Sequence, residues 1–458
     1  MKKSYYQQKT ELPKYPTIDQ NQEVDILIIG GGLTGLQCAY DLKSLPYSIM
    51  LVERDEIMSH SSGHMTGKLS YFHPKTMATL LQNFGEKTAL LYFKANIEAY
   101  KKILEMIKEE HIDCDLQINT HYFYSIHEVE RLIQVYELLK DKKHIHYMNN
   151  QISLYPLATY DSVLFSKGLL QCLKNVKIYE HSLATFHKKQ DGYHYVEVNG
   201  YWIKAKYLIV ASRYPVFQRE GLYFLKLQQT RLPLYMTSLI DRRIVLLEDK
   251  QVYSRKNVDG YNLHVSEDEL RLGQEIMMSW YNQDTYSHDG LPLIGYYTKK
   301  DSTYFVATGF NKWGSTLSKV SSLLIKDLIE EKDNHYQELF DPHRITLKAS
   351  FPSFMKLTGK TLKGEIYDRL FLDTNKKSLA DEEGTICTLN DQMIAVYKEN
   401  GHYYGYVPVC THLGCILHYN EKEHTFVCPC HGSIFNAHGQ VEEGPALYDL
   451  EKVKRKEV

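Results

Sequence analysis

The chain has 458 residues, with 54 basic and 56 acidic side chains. This charge balance gives no electrostatic support for nucleic-acid binding, and the longest apolar runs, such as residues 24–29, are too short to span a bilayer. The first residues are positively charged without an apolar run after them, so we do not expect a signal peptide. We expect a cytoplasmic protein with no membrane span, and the length favours about three structural units.

The first predicted strand, residues 23–29, is apolar and leads into a glycine-rich turn. A helix is predicted from residue 36 to about residue 45, so the G-x-G-x-x-G pattern stands between a strand and a helix, as in dinucleotide-binding folds. Its first glycine makes the tight turn, its second lets the backbone approach a pyrophosphate, and its third lets helix and strand pack closely. The predicted cofactor contacts in this turn are Gly30, Gly32, Leu33, Thr34 and Gly35.

A second predicted strand, residues 48–52, ends at Glu53. The Glu53 carboxylate is placed to accept hydrogen bonds from an adenosine ribose, and it argues against a phosphorylated ribose. The polar loop of small residues that follows resembles the loop that reaches the flavin ring in FAD-dependent oxidoreductases of the D-amino-acid-oxidase type. The resemblance implies FAD contacts from Arg54, Gly63, His64 and Thr66.

Two later segments are similar to the same family. Residues 205–212 resemble the strand that returns to the nucleotide sheet, and residues 307–314 resemble a glycine-rich turn that opens a helix, here about residues 315–329. The resemblance implies that the amino end of this helix stabilises negative charge on the reduced flavin, with contacts from Gly309, Phe310, Trp313 and Gly314. A β-rich region at about residues 214–285, with a turn at Asp259-Gly260, would form the floor of the substrate site.

Three residues in these segments have two interpretations each. His64-Met-Thr-Gly67 has the His-x-x-Gly spacing with which relatives in the dimethylglycine and sarcosine dehydrogenase group tether the flavin covalently; we favour the alternative, a histidine that only hydrogen-bonds the cofactor. Lys68 either lies near the flavin ring or is solvated. His288 either faces the substrate or is structural, and we favour the second. No catalytic residue is predicted, because flavin oxidation of an unprotonated amine does not require a base.

The carboxy-terminal part carries two motifs of metal-ligating residues, Cys410-Thr-His412-Leu-Gly-Cys415 and Cys428-Pro-Cys430-His431-Gly-Ser433. Two thiolates and two imidazoles can hold a [2Fe–2S] cluster at a raised potential. A zinc site is the alternative, but zinc needs neither the second pair of cysteines nor the Gly-Ser that follows. Short predicted strands separated by turns indicate a small antiparallel β domain around these motifs.

Both motifs resemble those of Rieske iron–sulfur domains. The resemblance implies four ligands, with Cys410 and Cys428 on one iron and His412 and His431 on the other, and a disulfide between Cys415 and Cys430. A cytosolic disulfide is normally disfavoured, so we assume that burial protects it. Ser433 stands where high-potential Rieske proteins place a serine that bonds to a sulfide, whereas Phe435 replaces their common tyrosine. We therefore expect a lower potential than in respiratory Rieske proteins.

The predicted fold class is an α/β FAD-binding domain of the Rossmann-like, glutathione-reductase/D-amino-acid-oxidase type, with an inserted antiparallel β substrate domain and a small all-β Rieske domain. The predicted boundaries are an N-terminal extension at 1–21, an FAD domain at 22–345, a linker at 346–365 with a short helix at 351–357, and a Rieske domain at 366–458.

These features predict a flavin-dependent oxidoreductase. It would pass electrons between a small organic substrate, an amine or N-substituted amino acid, and FAD, then to the Rieske cluster and an unidentified external partner. The alternative is a redox-sensing or electron-carrier protein without its own substrate. A Rieske oxygenase would need a mononuclear iron site in a large catalytic domain, and only 27 residues follow His431.

Overall fold

The computed structural model describes residues 2–124, 129–139, 144–238, 244–247, 254–265, 275–344, 346, 379–389 and 392–453. They form two compact units. The larger unit contains Lys2–Tyr223 and Thr230–Thr346, and the smaller one contains the described residues from 379 onward together with Phe224–Gln229. Apart from Thr346, the predicted linker and its short helix lie outside the described residues, and the domain boundaries stay predictions.

The larger unit combines helices and strands. Its helices are α1 (Tyr5–Lys9), α2 (Leu33–Leu42), α3 (Ser61–His64), α4 (Pro74–Phe84), α5 (Glu86–Glu109), α6 (Val129–Leu139), α7 (Ser162–Gln171), α8 (Gly314–Ile329) and α9 (Gln337–Phe340). In the part of the chain that the structure describes, no helix is long and apolar enough to span a membrane.

The strands of this unit, in chain order, are β1 (Gln22–Ile29), β2 (Ile49–Val52), β3 (Lys68–Leu69), β4 (Gln117–Tyr124), β5 (Ile145–Met148), β6 (Gln151–Thr159), β7 (Lys177–Tyr179), β8 (Ala184–Gln190), β9 (Tyr193–Val198), β10 (Tyr201–Val210), β11 (Leu227–Ser238), β12 (Ile244–Leu247), β13 (Ser254–Val258), β14 (Tyr261–Val265), β15 (Ile276–Ser287), β16 (Leu293–Tyr296) and β17 (Tyr304–Thr308). The first residues of β11 belong to the segment grouped with the smaller unit.

The first sheet has the strand order β16-β17-β10-β1-β2-β7, and in addition β9 pairs with β10 and β8 pairs with β9. Its centre is parallel, with Ile26 of β1 opposite Ile49 of β2 and Tyr207 of β10. The apolar run predicted as the first strand is fully buried at its centre, as expected for a parallel strand covered on both faces. The first strand and its position in a nucleotide-type sheet are therefore confirmed.

The helix after the glycine-rich turn begins earlier than predicted. It starts at Leu33 rather than at residue 36, because Gly32 is already its N-cap and the residues up to Gly35 take part in its first turn. The helix predicted at about residues 315–329 is confirmed as α8. The Asp259-Gly260 turn is also confirmed, since it joins the antiparallel strands β13 and β14 and both residues have positive φ.

The second sheet has the order β15-β11-β14-β13-β12-β4-β6-β3, with β5 beside β6. Strands β11 to β15 correspond to the β-rich region predicted at about residues 214–285. Strands β3 to β6 come from much earlier in the chain and join the same sheet, which the sequence did not indicate. The second sheet therefore combines two segments of the chain, β3 to β6 and β11 to β15. In the sequence they are separated by strands β7 to β10 of the first sheet.

The smaller unit is an all-β domain. Its strands are β18 (Gly384–Leu389), β19 (Gln392–Glu399), β20 (His402–Tyr406), β21 (His418–Asn420), β22 (Thr425–Val427), β23 (Ile434–Asn436) and β24 (Val441–Glu443). They form a three-stranded and a four-stranded sheet, both antiparallel. Tyr406, Phe426 and Phe435 form part of a core that also contains the buried cysteines. The predicted small antiparallel β domain is confirmed.

Candidate cofactor and substrate sites

The glycine-rich turn packs so closely against neighbouring backbone that two of its positions admit only glycine. A Cβ on Gly30 would lie 2.6 Å from the carbonyl oxygen of Ala211, and one on Gly35 would lie 1.9 Å from the carbonyl oxygen of Gly30. Gly32 is the N-cap of α2 and has no side-chain cap, so the amide groups of the first helical turn face the turn. A pyrophosphate fits this cradle of close backbone and positive helix end.

Glu53 lies beside this cradle, where the sequence predicts it. Its carboxylate is buried and accepts hydrogen bonds from the backbone N–H of Gly31 at 2.6 Å and of Asp55 at 3.0 Å. The Arg54 guanidinium donates to the Asp55 carboxylate at 2.8 Å and lies 2.9 Å from a ring nitrogen of His60. The predicted contact between Arg54 and FAD stays a prediction.

His64 is buried, and its ring is held by helix α1. Its Nε2 atom lies 2.9 Å from Oε1 of Gln7, whose Nε2 donates to the carbonyl oxygen of Met58 at 2.7 Å while Oε1 also accepts from the backbone N–H of Ser4. These backbone partners fix the orientation of the Gln7 amide. Because Oε1 can only accept, His64 carries its proton on Nε2.

Helix α1 makes further contacts with the same loop. The Ser4 hydroxyl donates to the carbonyl oxygen of Gly63 at 2.5 Å, and the Tyr6 hydroxyl donates to that of Thr66 at 3.2 Å. The indole N–H of Trp280 donates to the His64 carbonyl at 3.0 Å. The Nε2–H of His64 donates to Gln7, and both interpretations of this residue, a hydrogen bond to FAD and a covalent tether, stay predictions.

A cavity of about 120 Å³ lies in the larger unit. One wall is formed by residues 65–68 and 70, which follow α3, and a second by Lys312, Trp313 and the first turn of α8. The third wall is the second sheet, through Leu232 and Leu234 of β11, Val265 of β14, and Asn282 and Asp284 of β15. Thr66, Lys68 and Trp313, which the sequence placed near the flavin, therefore meet at one cavity.

The turn before α8 has unusual backbone geometry. Gly309 has a φ of 71°, Asn311 of 52° and Lys312 of 73°. A lysine rarely adopts the left-handed conformation, which costs roughly 1 kcal/mol for a residue with a Cβ. This turn directs Lys312 and Trp313 to the cavity and places Gly314 at the first position of the helix.

The two cysteine–histidine motifs fold into matching loops. In the first, the Gly414 N–H donates to the Cys410 carbonyl at 3.0 Å and the Cys410 N–H to the Cys415 carbonyl at 2.8 Å. In the second, Gly432 donates to Cys428 at 3.0 Å, and Cys428 to the Ser433 carbonyl at 2.8 Å. Both glycines have positive φ, at 82° and 76°, so each loop needs glycine at that position.

These loops bring the predicted iron ligands together. Cys410 and Cys428 are 2% and 1% exposed, and the hydrogen bond from the Cys428 thiol lowers the pKa of the Cys410 thiol to about 7. The rings of His412 and His431 lie with centroids 5.0 Å apart at 89°. Two buried thiols and two adjacent imidazoles form a donor set that fits a [2Fe–2S] cluster.

The neighbours of the ligands also lie where the sequence predicts them. Cys415 and Cys430 form a disulfide that ties the two loops together, and both are buried, as we assumed for its protection. The Ser433 hydroxyl hydrogen-bonds the Cys410 sulfur and accepts from the Ala446 N–H at 3.0 Å. Phe435 is fully buried in the domain core.

Comparisons with known proteins agree with this geometry. Residues 25–180 match the FAD dependent oxidoreductase family, DAO, and residues 370–454 match the Rieske [2Fe-2S] domain family. The chain is 29% identical to the Rieske iron-sulfur protein YhfW of Bacillus subtilis (strain 168), over 98% of this chain and 97% of that protein. The chain is a D-amino-acid-oxidase-like flavoprotein with a fused C-terminal Rieske domain. Its cofactors are FAD and a [2Fe–2S] cluster.

Similar solved structures support the fold of the flavoprotein part. Glycine oxidase from Geobacillus kaustophilus matches with a TM-score of 0.59 and 16% identity, over 71% of this chain and 99% of that one. L-proline dehydrogenase from P. horikoshii matches with a TM-score of 0.57 and 15% identity, over 71% and 98%. At these identities the likeness concerns the fold alone.

The flavoprotein domain also contains a site residue that the sequence did not reveal. His73 stacks on Trp313 with ring centroids 4.0 Å apart at 15°. Its Nδ1 accepts from the Tyr92 hydroxyl at 2.7 Å, and its Nε2–H donates to the Ser70 carbonyl at 2.8 Å. Burial lowers the pKa of His73 to about 3, so the ring that supports the cavity wall is neutral. No local motif marks His73, because its role depends on a partner far along the chain.

The structure places Lys68 and His288, which each have two interpretations, in different surroundings. Lys68 is buried and lines the cavity, in agreement with a place near the flavin ring. His288 is buried but is not among the lining residues of this cavity, and burial lowers its pKa. The adjacent Asp289 carboxylate binds Arg344 through two hydrogen bonds, at 2.7 and 2.8 Å. This arrangement agrees with a structural role for the segment.

Proposed function

We propose that this flavoprotein oxidises a small amine or N-substituted amino acid and passes the electrons through the Rieske cluster to an external acceptor. The observation that carries the proposal is the cavity bounded by the flavin loop, the turn before α8 and the face of the second sheet. A molecule in this cavity would meet the flavin on one side and the sheet on the other.

The residues that would hold the cofactors are those that the sequence predicted. Gly30, Gly32 and Gly35 would cradle the FAD pyrophosphate, and the amino end of α8 would face the flavin, where its positive end stabilises added negative charge. Cys410, His412, Cys428 and His431 would hold the cluster. When bound, FAD accepts two electrons and the cluster carries one at a time. The fused domains could therefore convert a two-electron oxidation into single-electron transfers.

The substrate class rests on fold and on cavity size. The names of the similar solved structures, which include glycine oxidase, L-proline dehydrogenase and L-amino acid deaminase, refer to amino acids as substrates. The cavity of about 120 Å³ favours a small molecule.

The test begins with protein purified without oxygen and assayed for bound flavin and iron. Amines and N-substituted amino acids are then screened for anaerobic loss of the flavin absorption, and each active compound is followed by the EPR signal of the reduced cluster. We expect loss of flavin colour followed by the cluster signal. In a Cys410→Ser variant, the flavin response should remain and the EPR signal should be absent.

Two results would contradict the proposal. If an amine reduces the flavin while the cluster stays oxidised, the proposed electron transfer is wrong. If no amine is turned over with an artificial acceptor while chemical reductants reduce both cofactors, the chain is an electron carrier or a redox sensor.

A further inference from the structure

Two hydrogen-bond acceptors face the cavity from one strand of the second sheet. Asn282 and Asp284 stand two positions apart on β15, so both side chains project to the same face, while Gln283 between them is buried on the other side. Both residues line the cavity. They form the polar part of a wall that is otherwise apolar.

The hydrogen bonds of this pair leave acceptors directed at the cavity. The Asn282 amide nitrogen donates to both Asp284 carboxylate oxygens at 3.4 Å. This orientation is required, because a carboxylate can only accept. It turns Oδ1 of Asn282 away from Asp284, and that buried oxygen has no hydrogen-bond donor among the described residues. A buried acceptor of this kind calls for a donor from a ligand.

The charge of Asp284 points to the same kind of ligand. Burial raises the pKa of the Asp284 carboxyl, although the positive charges of Lys312 and Arg213 act to lower it. The raised pKa means that the ionised carboxylate lacks part of the stabilisation that water would provide. Its two contacts with Asn282 are long for charge-assisted hydrogen bonds. A cationic N–H group in the cavity would supply the missing interaction.

An apolar surface adjoins these acceptors. Strands β15, β11 and β14 are neighbours in the sheet, and Leu232, Leu234 and Val265 line the cavity beside Asp284. The lysines of the cavity, Lys68 and Lys312, lie on the other two walls. The sheet wall therefore offers hydrogen-bond acceptors next to an apolar surface.

We infer that Asp284, with Asn282, determines specificity by accepting hydrogen bonds from the N–H groups of the substrate's amine, and that the leucine–valine surface takes an apolar substituent on that amine. The substrate class is then an alkyl- or arylalkyl-substituted amine. The inference rests on the proposed function, because it assigns the amine end of the proposed substrate. It makes Asp284 a binding residue, which separates it from the residues that would hold the flavin.

The experiment measures ligand binding rather than turnover. Benzamidinium carries a positive charge, N–H donors and an apolar ring, and it cannot be oxidised by hydride loss because the carbon beside its nitrogens bears no hydrogen. Phenylacetate has a similar apolar group and a negative charge. Each is titrated into the FAD-loaded full chain, and the change in the flavin absorption spectrum gives a dissociation constant. The variants are Asp284→Asn and Asp284→Glu, with Glu275→Gln as a control in which an exposed acid just before β15 is neutralised.

We expect Asp284→Asn to weaken binding of the cation at least tenfold without weakening binding of phenylacetate. Asp284→Glu should restore most of the affinity for the cation, and Glu275→Gln should change neither ligand. Equal affinity of wild type and Asp284→Asn for the cation overturns the inference. So does an equal loss for both ligands, since that result indicates a change of shape rather than of charge.

A second variant covers the case in which Asp284→Asn loses FAD. Asn282→Leu removes the amide oxygen that has no hydrogen-bond donor among the described residues, and it should weaken binding of the cation at least threefold without weakening binding of phenylacetate; unchanged affinity for the cation overturns the inference. The proposed function fails separately. If the cation binds through Asp284 but no amine reduces the flavin, only the proposed function is wrong. If amines are oxidised with the same KM by Asp284→Asn, only the inference is wrong.

Discussion

The Rieske site and the flavoprotein cavity are built in opposite ways. All four predicted iron ligands lie between residues 410 and 431, on two loops closed by the same pattern of backbone hydrogen bonds. The cavity collects residues from five separate parts of the chain, at positions 65–68 and 70, 232 and 234, 265, 282 and 284, and 312, 313, 315 and 316. A site built from adjacent loop residues can be recognised from its sequence motif. A site built from distant strands can be recognised only once the fold that brings them together is known.

The largest effect should come from breaking the local site at one atom. In Cys410→Ser, a hydroxyl replaces a buried thiol that would hold iron, so we expect almost complete loss of bound iron and of the cluster EPR signal. The matched control is Cys387→Ser, since Cys387 is a half-buried thiol in the same domain and lies outside the two loops. The flavin content should be unchanged in both variants. Retention of iron in Cys410→Ser at the wild-type level would show that the ligand assignment is wrong.

The corresponding change in the flavoprotein domain is Gly35→Val. A Cβ at this position would lie 1.9 Å from the Gly30 carbonyl oxygen, so helix α2 must move away from β1 and the pyrophosphate cradle must open. We expect loss of FAD with the iron content unchanged. Gly192→Ala is the control: a Cβ there meets nothing within 4 Å, and its left-handed backbone costs about 1 kcal/mol. FAD bound equally by Gly35→Val and wild type would contradict this account of the turn.

The two regions differ in how much of their structure could be predicted from the sequence, and the reasons are physical. The cluster loops, β1, α8 and the Asp259-Gly260 turn are set by residues within a few positions of each other, and all were predictable. Helix α1 was not, because its contacts with His64 and Gly63 depend on how an N-terminal segment packs on a loop more than fifty residues away. The role of Asp284 required the sheet order β15-β11-β14, which no local pattern encodes.

A third test concerns the support of the cavity wall by His73. Its folded pKa of about 3 lies below the ordinary value of 6.5, so the unfolded state binds more protons between these pH values. The stability that comes from keeping His73 neutral is therefore fully present above pH 6.5. It is lost as the pH falls towards 3, and the free energy of unfolding then decreases by at most about 1.4 kcal/mol per pH unit. Denaturant unfolding at several pH values measures it.

The variant His73→Phe keeps a ring against Trp313 and removes the titration. At pH 8 it should be less stable by about 1–3 kcal/mol, because the Tyr92 hydroxyl loses its acceptor. Between pH 6.5 and 4 its stability should fall less steeply than that of wild type. Parallel pH profiles for the two proteins would show that His73 is not the neutral buried group described above.

A smaller effect is expected for helix α1. Gln7→Ala removes the acceptor of His64 Nε2 and the donor to the Met58 carbonyl, and loss of buried hydrogen bonds costs about 1–3 kcal/mol. We expect weaker retention of FAD during denaturant unfolding, whereas Gln8→Ala, at an exposed neighbour, should match wild type. Intact mass of the wild-type protein tests the tether in the same experiment, since a covalent flavin would add its mass to the polypeptide and would not dissociate in either variant.

The smallest and most local effect is expected inside the Rieske core, for Phe435→Tyr. Reduction adds negative charge to the cluster, so a hydroxyl that hydrogen-bonds a ligand sulfur stabilises the reduced form and raises the potential. Phe435 is fully buried and stands opposite Phe426 across β22 and β23. Phe426→Tyr therefore adds the same hydroxyl to the facing strand and controls for a polar group in this core. Protein-film voltammetry should show a higher potential for Phe435→Tyr than for wild type or Phe426→Tyr. The reason is that position 435 lies two residues after Ser433, directly beyond the ligand loop, whereas position 426 does not. An equal rise in both variants would mean that core polarity, rather than a hydrogen bond to the ligand, sets the potential.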